Sequence, residues 1–231
     1  MAENVMTNAE AATTVIIADD HPLFREALSL ALERALGGAR IIEAGNMSEL
    51  ENAARDNAQA DLVLLDLHMP GVQGFSALIY LRAHHPELPV CVISANNNPG
   101  VIQRAMDHGA AAFIHKSAPI NQMREALSAV LEGDIWQPPE LDNVNASTEP
   151  DEIEIAERVS ELTPQQFRVL MMVGEGLLNK QIAYELNISE ATIKAHMTAI
   201  FRKLGVTNRT QAVLLIQRLA VDSPEAGSQG F

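Results

Sequence analysis

The stretch TVIIADD at residues 14–20 begins a pattern that the first half of this 231-residue chain repeats. A short apolar run ends on a polar or charged group here, and again at Asp66, at Ser94 and at Lys116. Apolar runs of four to six residues that alternate with amphipathic helices are typical of buried parallel strands. The pattern predicts an α/β fold, a doubly wound (βα)5 parallel sheet, with strands over residues 14–18, 39–44, 62–66, 90–94 and 112–115.

The groups that end these strands carry chemistry. Because functional groups of an open parallel sheet gather beyond the carboxyl ends of its strands, we expect one crevice to hold Asp19, Asp20, Asp66, Ser94 and Lys116. Converging carboxylates repel one another unless a cation joins them, and a hard divalent cation suits oxygen ligands. The nearby His21 and His68 would permit zinc, but oxygen ligands dominate this set and favour Mg²⁺.

Composition indicates a globular protein with an uneven charge distribution. Hydrophobic residues make up 47% of the chain, whose net charge is −14. Residues 1–134 hold 8 Lys and Arg against 17 Asp and Glu, whereas residues 159–221 hold 7 against 4. Only this second, basic segment would attract nucleic acid. No apolar run approaches the roughly 20 residues of a membrane span, and the first residues do not resemble a signal peptide. With Cys91 as its one cysteine, expected in a buried strand, the chain fits a cytoplasmic location.

Residues 136–158 interrupt the strand and helix pattern. This stretch is acidic and rich in proline, and we interpret it as a flexible linker. The chain then becomes helical. The predicted organisation is therefore an α/β domain over residues 12–135, the linker 136–158, an all-α domain over 159–221 and a disordered tail over 222–231.

Capping signals predict where several helices begin and end. Ser48 with Glu51 forms a capping-box pattern for the second helix. Ser189 is placed to cap a long helix that runs to Leu204. A last helix is expected to end near Ala220.

The motifs IIADDHPLFREAL, VLLDLHMPGVQG, ISA and GAAAFIHK together resemble the receiver domain of two-component response regulators, over roughly residues 13–134. This resemblance implies a flavodoxin-like fold in which Asp66 accepts a phosphoryl group. It implies that Mg²⁺ is held by Asp20, Asp66 and the backbone carbonyl of His68, with Asp19 acting through bound water.

The same resemblance assigns roles to the other strand-end groups. Lys116 and Ser94 would bind the phosphoryl oxygens. Phe113 stands at the position of an aromatic switch residue that is often tyrosine in relatives, and it lacks the hydroxyl group.

The second half carries a different resemblance. The segment from LTPQQF to AVLLI, with its NKQIA and SEATIKAH stretches, is similar to the LuxR-type helix-turn-helix domain over residues 161–219. Gln166 replaces the acidic residue that relatives usually have shortly after the Thr-Pro pair. Together with the receiver, this architecture resembles the NarL/FixJ-type response regulators.

The long helix can be interpreted from its own periodicity. Ile193, Met197 and Ile200 share a core face, which leaves the opposite face for DNA. We expect base or phosphate contacts from this face and its surroundings, namely from Lys180, Ser189, Thr192, Lys194, Ala195, Thr198, Arg202, Lys203 and Arg209. In relatives the last helix pairs two such domains, which implies a homodimer on double-stranded DNA.

These inferences predict a non-enzymatic transcription factor. A histidine kinase or a phosphotransfer protein would phosphorylate Asp66 with Mg²⁺ and thereby control DNA binding. The opposite charges of the two halves predict that the acidic half covers the basic recognition face. Two alternatives remain open: a metal-dependent phosphohydrolase, and a regulator that binds DNA without phosphorylation. The autoinducer-sensing relatives of the helical domain do not fit, because the first half resembles a receiver.

Overall fold

The computed structural model describes residues 12–141 and 148–221, apart from the side chains of Ala35 and Glu140. The predicted disordered tail, residues 222–231, lies outside the described residues. No helix in the described ranges is long and apolar enough to cross a bilayer.

The first half forms a five-stranded parallel sheet with the strand order β2-β1-β3-β4-β5. The strands are β1 (Thr13–Ala18), β2 (Ala39–Ala44), β3 (Leu62–Asp66), β4 (Val90–Ser94) and β5 (Ala112–His115). The helices that connect and follow them are α1 (Pro22–Leu36), α2 (Met47–Asp56), α3 (Ser76–His84), α4 (Pro99–Asp107) and α5 (Ile120–Leu131). The predicted α/β class and its doubly wound parallel sheet are confirmed.

Both faces of this sheet are buried, which explains why its strands are continuous apolar runs. Val15, Leu64 and Ile114 pack on one face with residues of α1 and α5. Ile16 and Phe113 point to the other face, where the core continues without interruption into the helical second half. The two halves therefore share one hydrophobic core in this conformation.

Over residues 148–221 the second half forms five helices. They are α6 (Pro150–Ser160), α7 (Pro164–Gly174), α8 (Asn179–Glu185), α9 (Glu190–Leu204) and α10 (Arg209–Gln217). The Ser189 side chain accepts a hydrogen bond from Thr192 N at 3.0 Å, as expected for the cap of the long helix α9. Gly205, with φ of 67°, ends α9 in the left-handed region.

The predicted linker is wrong over part of its length. Residues 150–158 belong to α6, which packs against α3 and α9, while residues 142–147 lie outside the described ranges. The reason is that Ile155 and Val159 lie one turn apart and are both buried, so the acidic stretch carries an apolar stripe. The first residue of the predicted linker is also ordered, because Trp136 N donates to Ala111 O at 2.9 Å beside β5.

The predicted cap of the second helix is also wrong, by two residues. Asn46 caps α2 by accepting from Glu49 N at 3.0 Å, and Glu49 accepts from Gly45 N at 2.7 Å. Glu51 is therefore not a capping residue. It is 3% exposed and faces the helical half.

Candidate functional site

The carboxyl ends of β1 and β3 bring three acidic side chains into one pocket. Asp19 and Asp66 are each 2% exposed, while Asp20 is partly open to solvent. Ligand atoms of these three residues and of His21 lie within 4.8 Å of one another. This arrangement follows from the topology, because β1 and β3 are neighbours in the sheet and end at the same edge.

Lys116, just after β5, is the cation of this pocket. Its Nζ lies 2.6 Å from Asp19 Oδ2 and 2.8 Å from Asp66 Oδ2. Burial alone would lower the pKa of Lys116, but hydrogen bonds to the two carboxylates outweigh it and raise that pKa. Burial raises the pKa of Asp66 above its usual value, and Lys116 offsets only part of this rise. The ammonium of Lys116 thus contacts two of the three carboxylates.

This donor set fits a hard divalent cation. Asp20 Oδ1 is buried and has no hydrogen bond of good geometry from the described residues, although His21 Nδ1 lies 2.7 Å away. Three carboxylates balanced by one ammonium leave uncompensated negative charge, and carboxylate oxygen is the ligand that Mg²⁺ and Ca²⁺ prefer. The cluster of Asp19, Asp20 and Asp66 is therefore a candidate metal site.

The other predicted receiver residues lie around this pocket. Ser94 ends β4 and is fully buried, and its hydroxyl accepts from Asn96 N at 3.1 Å. Phe113 is 1% exposed, so its ring occupies the inward position in this conformation. His68 N donates to Asp66 Oδ1 at 3.2 Å, which ties the loop after β3 to the Asp66 carboxylate.

Two residues of α1 support the pocket and were not predicted from the sequence. Arg25 Nη1 donates to the backbone oxygen of Asp19 at 2.6 Å, and its Nε donates to Glu43 Oε2 at 2.7 Å. The ring of Phe24 lies 4.7 Å from Lys116 Nζ, in cation–π geometry. The adjacent Phe24 and Arg25 in the first turns of α1 were the available signal.

Most of the predicted DNA-contacting residues are exposed. Lys194 is 67% exposed and lies 3.4 Å from Glu190, one turn earlier on α9. Thr198 is exposed and donates its hydroxyl hydrogen to Lys194 O at 3.0 Å. The residues of the predicted set that are exposed are Lys180, Ser189, Thr192, Lys194, Ala195, Thr198 and Arg202.

Two predicted phosphate contacts instead have partners inside the helical half. Lys203 Nζ donates to Glu161 O at 2.7 Å and to Gln166 Oε1 at 2.8 Å. Arg209 Nη2 donates to Val173 O at 3.1 Å and to Leu177 O at 2.7 Å, near the end of α7. These contacts favour a structural role for Lys203 and Arg209, because their donors already satisfy backbone carbonyls.

The expected cover over the recognition face is wrong for this conformation. The exposed face of α9 stays open, and the two halves meet elsewhere. Glu51 of α2 pairs with Arg168 of α7, and the ring of Tyr80 lies 4.8 Å from that of Phe167. These two contacts are made by α7 and not by the recognition helix α9.

A second buried carboxylate joins α6 to α4. Glu152 accepts from Arg104 Nε at 2.9 Å and lies 2.8 Å from His108 Nε2. Burial alone would raise the pKa of Glu152, but the hydrogen bonds from His108 and Arg104 hold it below its usual value. Burial raises the pKa of Glu51, and the hydrogen bond and charge of Arg168 offset part of that rise. Partners across the contact therefore stabilise the charged form of both carboxylates.

Comparison with known proteins matches two family models. Residues 15–128 match the response regulator receiver domain, and residues 160–216 match the bacterial regulatory proteins of the luxR family. The glycerol metabolism activator of Pseudomonas putida is 40% identical over 205 residues, which are 87% of this chain and 93% of that protein. The nitrate/nitrite response regulator NarL of Escherichia coli K12 is 30% identical over 214 residues, 92% of this chain and 98% of that protein.

A solved structure covers both halves. RcsB from Salmonella enterica serovar Typhimurium, bound to promoter P1flhDC in the presence of phosphomimetic BeF3−, is 26% identical with a TM-score of 0.54. The match covers 91% of this chain and 100% of that one.

Proposed function

The chain belongs to the NarL-type response regulators, which join a receiver domain to a LuxR-family DNA-binding domain, and from this premise we propose that phosphorylation of Asp66 controls its binding to DNA. One observation carries the proposal. A buried carboxylate, Asp66, lies against Lys116 and two further carboxylates, in the same chain as the exposed side chains of α9.

The chemistry follows from the residues of the pocket. A phosphohistidine of a histidine kinase or a phosphotransfer protein would lose its N–P bond as an Asp66 carboxylate oxygen forms the new O–P bond. Lys116 and Ser94 would bind the phosphoryl oxygens, because phosphoryl transfer depends on positioning and charge neutralisation. Asp20, Asp66 and the His68 carbonyl would hold Mg²⁺, with Asp19 acting through water. When bound, this ion would neutralise charge on the phosphoryl group.

Phe113 would report the state of the pocket. Its ring is buried, as the ring of an aromatic switch residue would be in its inward position. The alternative is an ordinary core phenylalanine, for which its neighbours on β5 would be sufficient. We favour the role of an aromatic switch for Phe113. Phe113 lies on β5, and the paired strands β4 and β5 lead to Ser94 and Lys116, which would bind the phosphoryl group.

We infer two domains, the receiver over residues 12–135 and the DNA-binding domain over 159–221. Between them, α6 packs against α3 of the receiver and against α9. On DNA we propose a homodimer paired through α10, with α9 in the major groove. A cytoplasmic location stays a prediction.

A DNA titration with and without a phosphodonor tests this function. The DNA is a site selected in vitro from random sequence with protein treated with acetyl phosphate and Mg²⁺. At fixed salt, the treated protein should bind this site at least about fivefold more tightly than the untreated protein, within the usual range of allosteric coupling. Equal affinity would instead favour the regulator that binds DNA without phosphorylation. Rapid turnover of an external phosphate ester would favour the phosphohydrolase.

Lys194→Ala should weaken specific DNA binding by about 1–3 kcal/mol if Lys194 contacts a base edge. The reason is its exposure at the centre of the α9 face. The measurement is a titration of the selected site and of a scrambled site at one salt concentration. The matched control is Arg124→Ala, which removes an exposed cation of α5 and should change neither affinity.

The pattern of loss identifies the kind of contact. A base contact weakens binding to the selected site more than to the scrambled site. A uniform loss would mean a phosphate contact, which is the pattern expected for Lys180→Ala. Unchanged affinity for both sites would place Lys194 outside the interface.

A further inference from the structure

The segment that follows α10, residues 218–221, presents four consecutive backbone carbonyls to the receiver. Each accepts a hydrogen bond from a receiver group. The donors are Arg104 Nη2 to Arg218 O (3.0 Å) and to Ala220 O (3.2 Å), Phe75 N to Leu219 O (2.9 Å), and His68 Nε2 to Val221 O (3.2 Å). Since a carbonyl only accepts, the His68 ring carries its hydrogen on Nε2 in this conformation.

The receiver surface is shaped for this segment. Leu219 is fully buried and Val221 is 7% exposed. Gly74 makes room for the backbone: a Cβ atom there would lie 2.0 Å from Leu219 O and 2.7 Å from Ala220 Cα. Arg104 lies over the ring of Phe75 at 4.8 Å, so its guanidinium is held in place. A cation beside the last carbonyls of a helix is also favoured by the helix dipole.

We propose that the receiver carries a binding site for an extended backbone segment, built from His68, the Phe75 amide, Gly74 and Arg104, and that residues 218–221 occupy it before phosphorylation. The proposal rests on the proposed function. The site would restrain α10, the helix that would pair two DNA-binding domains, and would leave the recognition face of α9 open.

His68 links this site to the phosphoacceptor. Its backbone N–H donates to Asp66 Oδ1, and its ring donates to Val221 O. A ligand on Asp66 and the segment on the receiver therefore act on the same residue. If a phosphoryl group favours release of residues 218–221, their release must raise the affinity of the pocket for a phosphoryl analogue by the same factor.

Gly74→Ala in the full chain tests the site. The variant should speed amide hydrogen exchange in a peptide that covers residues 217–221, and it should raise the affinity for beryllofluoride with Mg²⁺ about fivefold or more, measured by ¹⁹F NMR. Gly74 has φ of 54°, so alanine also adds backbone strain. Gly37→Ala is the matched control, because Gly37 has φ of 69° and nothing within 4 Å of an added Cβ. It should change neither measurement.

A second pair of variants tests the site independently, in case Gly74→Ala does not fold. Arg104→Gln removes the donor to Arg218 O and Ala220 O, together with the ion pair to Glu152. Glu152→Gln loses that ion pair and keeps both carbonyl contacts. Arg104→Gln should therefore speed exchange at residues 217–221 more than Glu152→Gln does.

The outcomes separate the inference from the function on which it rests. Unchanged exchange in Gly74→Ala and equal exchange in the second pair would overturn the binding site. Faster exchange with unchanged beryllofluoride affinity would overturn the link through His68. Failure of the unmodified protein to bind beryllofluoride at all would contradict the proposed function, while the exchange results would still decide the site.

Discussion

Asp66→Asn should carry no phosphoryl group after incubation with acetyl phosphate and Mg²⁺, whereas the unmodified chain should gain one. Asp66 is the carboxylate that ends β3, and its Oδ2 lies 2.8 Å from Lys116 Nζ. An amide at this position keeps the shape of the side chain but is not a nucleophile toward phosphorus. The measurement is the intact mass of each protein.

Two controls make this result specific. Asp61→Asn changes a carboxylate at the opposite end of β3, where Asp61 accepts from Thr14 N at 2.7 Å, and it should not prevent labelling. Chelation of the divalent cation should abolish labelling of the unmodified chain, because the pocket would then lack its second positive charge. If Asp66→Asn is labelled as fully as the unmodified chain, another residue is the acceptor.

Arg168→Met should separate the two domains without unfolding either. The change leaves Glu51 buried at 3% exposure without its cation. Removing one partner of a buried ion pair typically costs about 3–5 kcal/mol, and here separation of the domains relieves that cost. Small-angle scattering should show a larger radius of gyration. Arg124→Met, which removes an exposed cation of α5, should leave the dimensions unchanged.

The effect of Arg168→Met should depend on pH in a definite direction. Burial raises the pKa of Glu51 in the joined state above that of an exposed glutamate. The joined state therefore binds a proton more tightly than the separated state, and it is favoured as pH falls. Without Arg168 this dependence should strengthen, so that acidification restores a compact molecule. Glu51→Gln combined with Arg168→Met should be compact at neutral pH, since it removes the buried charge. A double variant as expanded as Arg168→Met would show that Glu51 is not the cause.

The parts of the fold that depend on local sequence were predictable. The β3 and β4 strands have the bounds expected from their apolar runs, and Asp66 and Lys116 meet because parallel strands end at one edge. The start of α2 could not be predicted from the sequence, because Asn46 and Ser48 each precede a glutamate by three residues. The choice between them depends on the backbone: Asn46 is extended, at φ of −159°, as a cap must be.

Contacts between the domains could not be predicted from the sequence. Glu51 and Arg168 are 117 positions apart, and each is an ordinary surface residue when its own helix is considered alone. The helix α6 was missed for a related reason. Its acidic composition is typical of a linker, and its stripe of Ile155 and Val159 becomes informative only when α3 and α9 are there to cover it.

The ordered position of Trp136, just after the receiver, provides an intrinsic fluorescent probe. Trp136, the one tryptophan of the chain, is held by its backbone to Ala111 at the edge of β5. Its indole lines a cavity together with Phe113, the ring expected to move on activation. With excitation above the tyrosine band, the emission of the native chain therefore arises from a single chromophore beside Phe113. We expect tryptophan fluorescence to follow activation of the unlabelled protein, because no other residue absorbs above the tyrosine band.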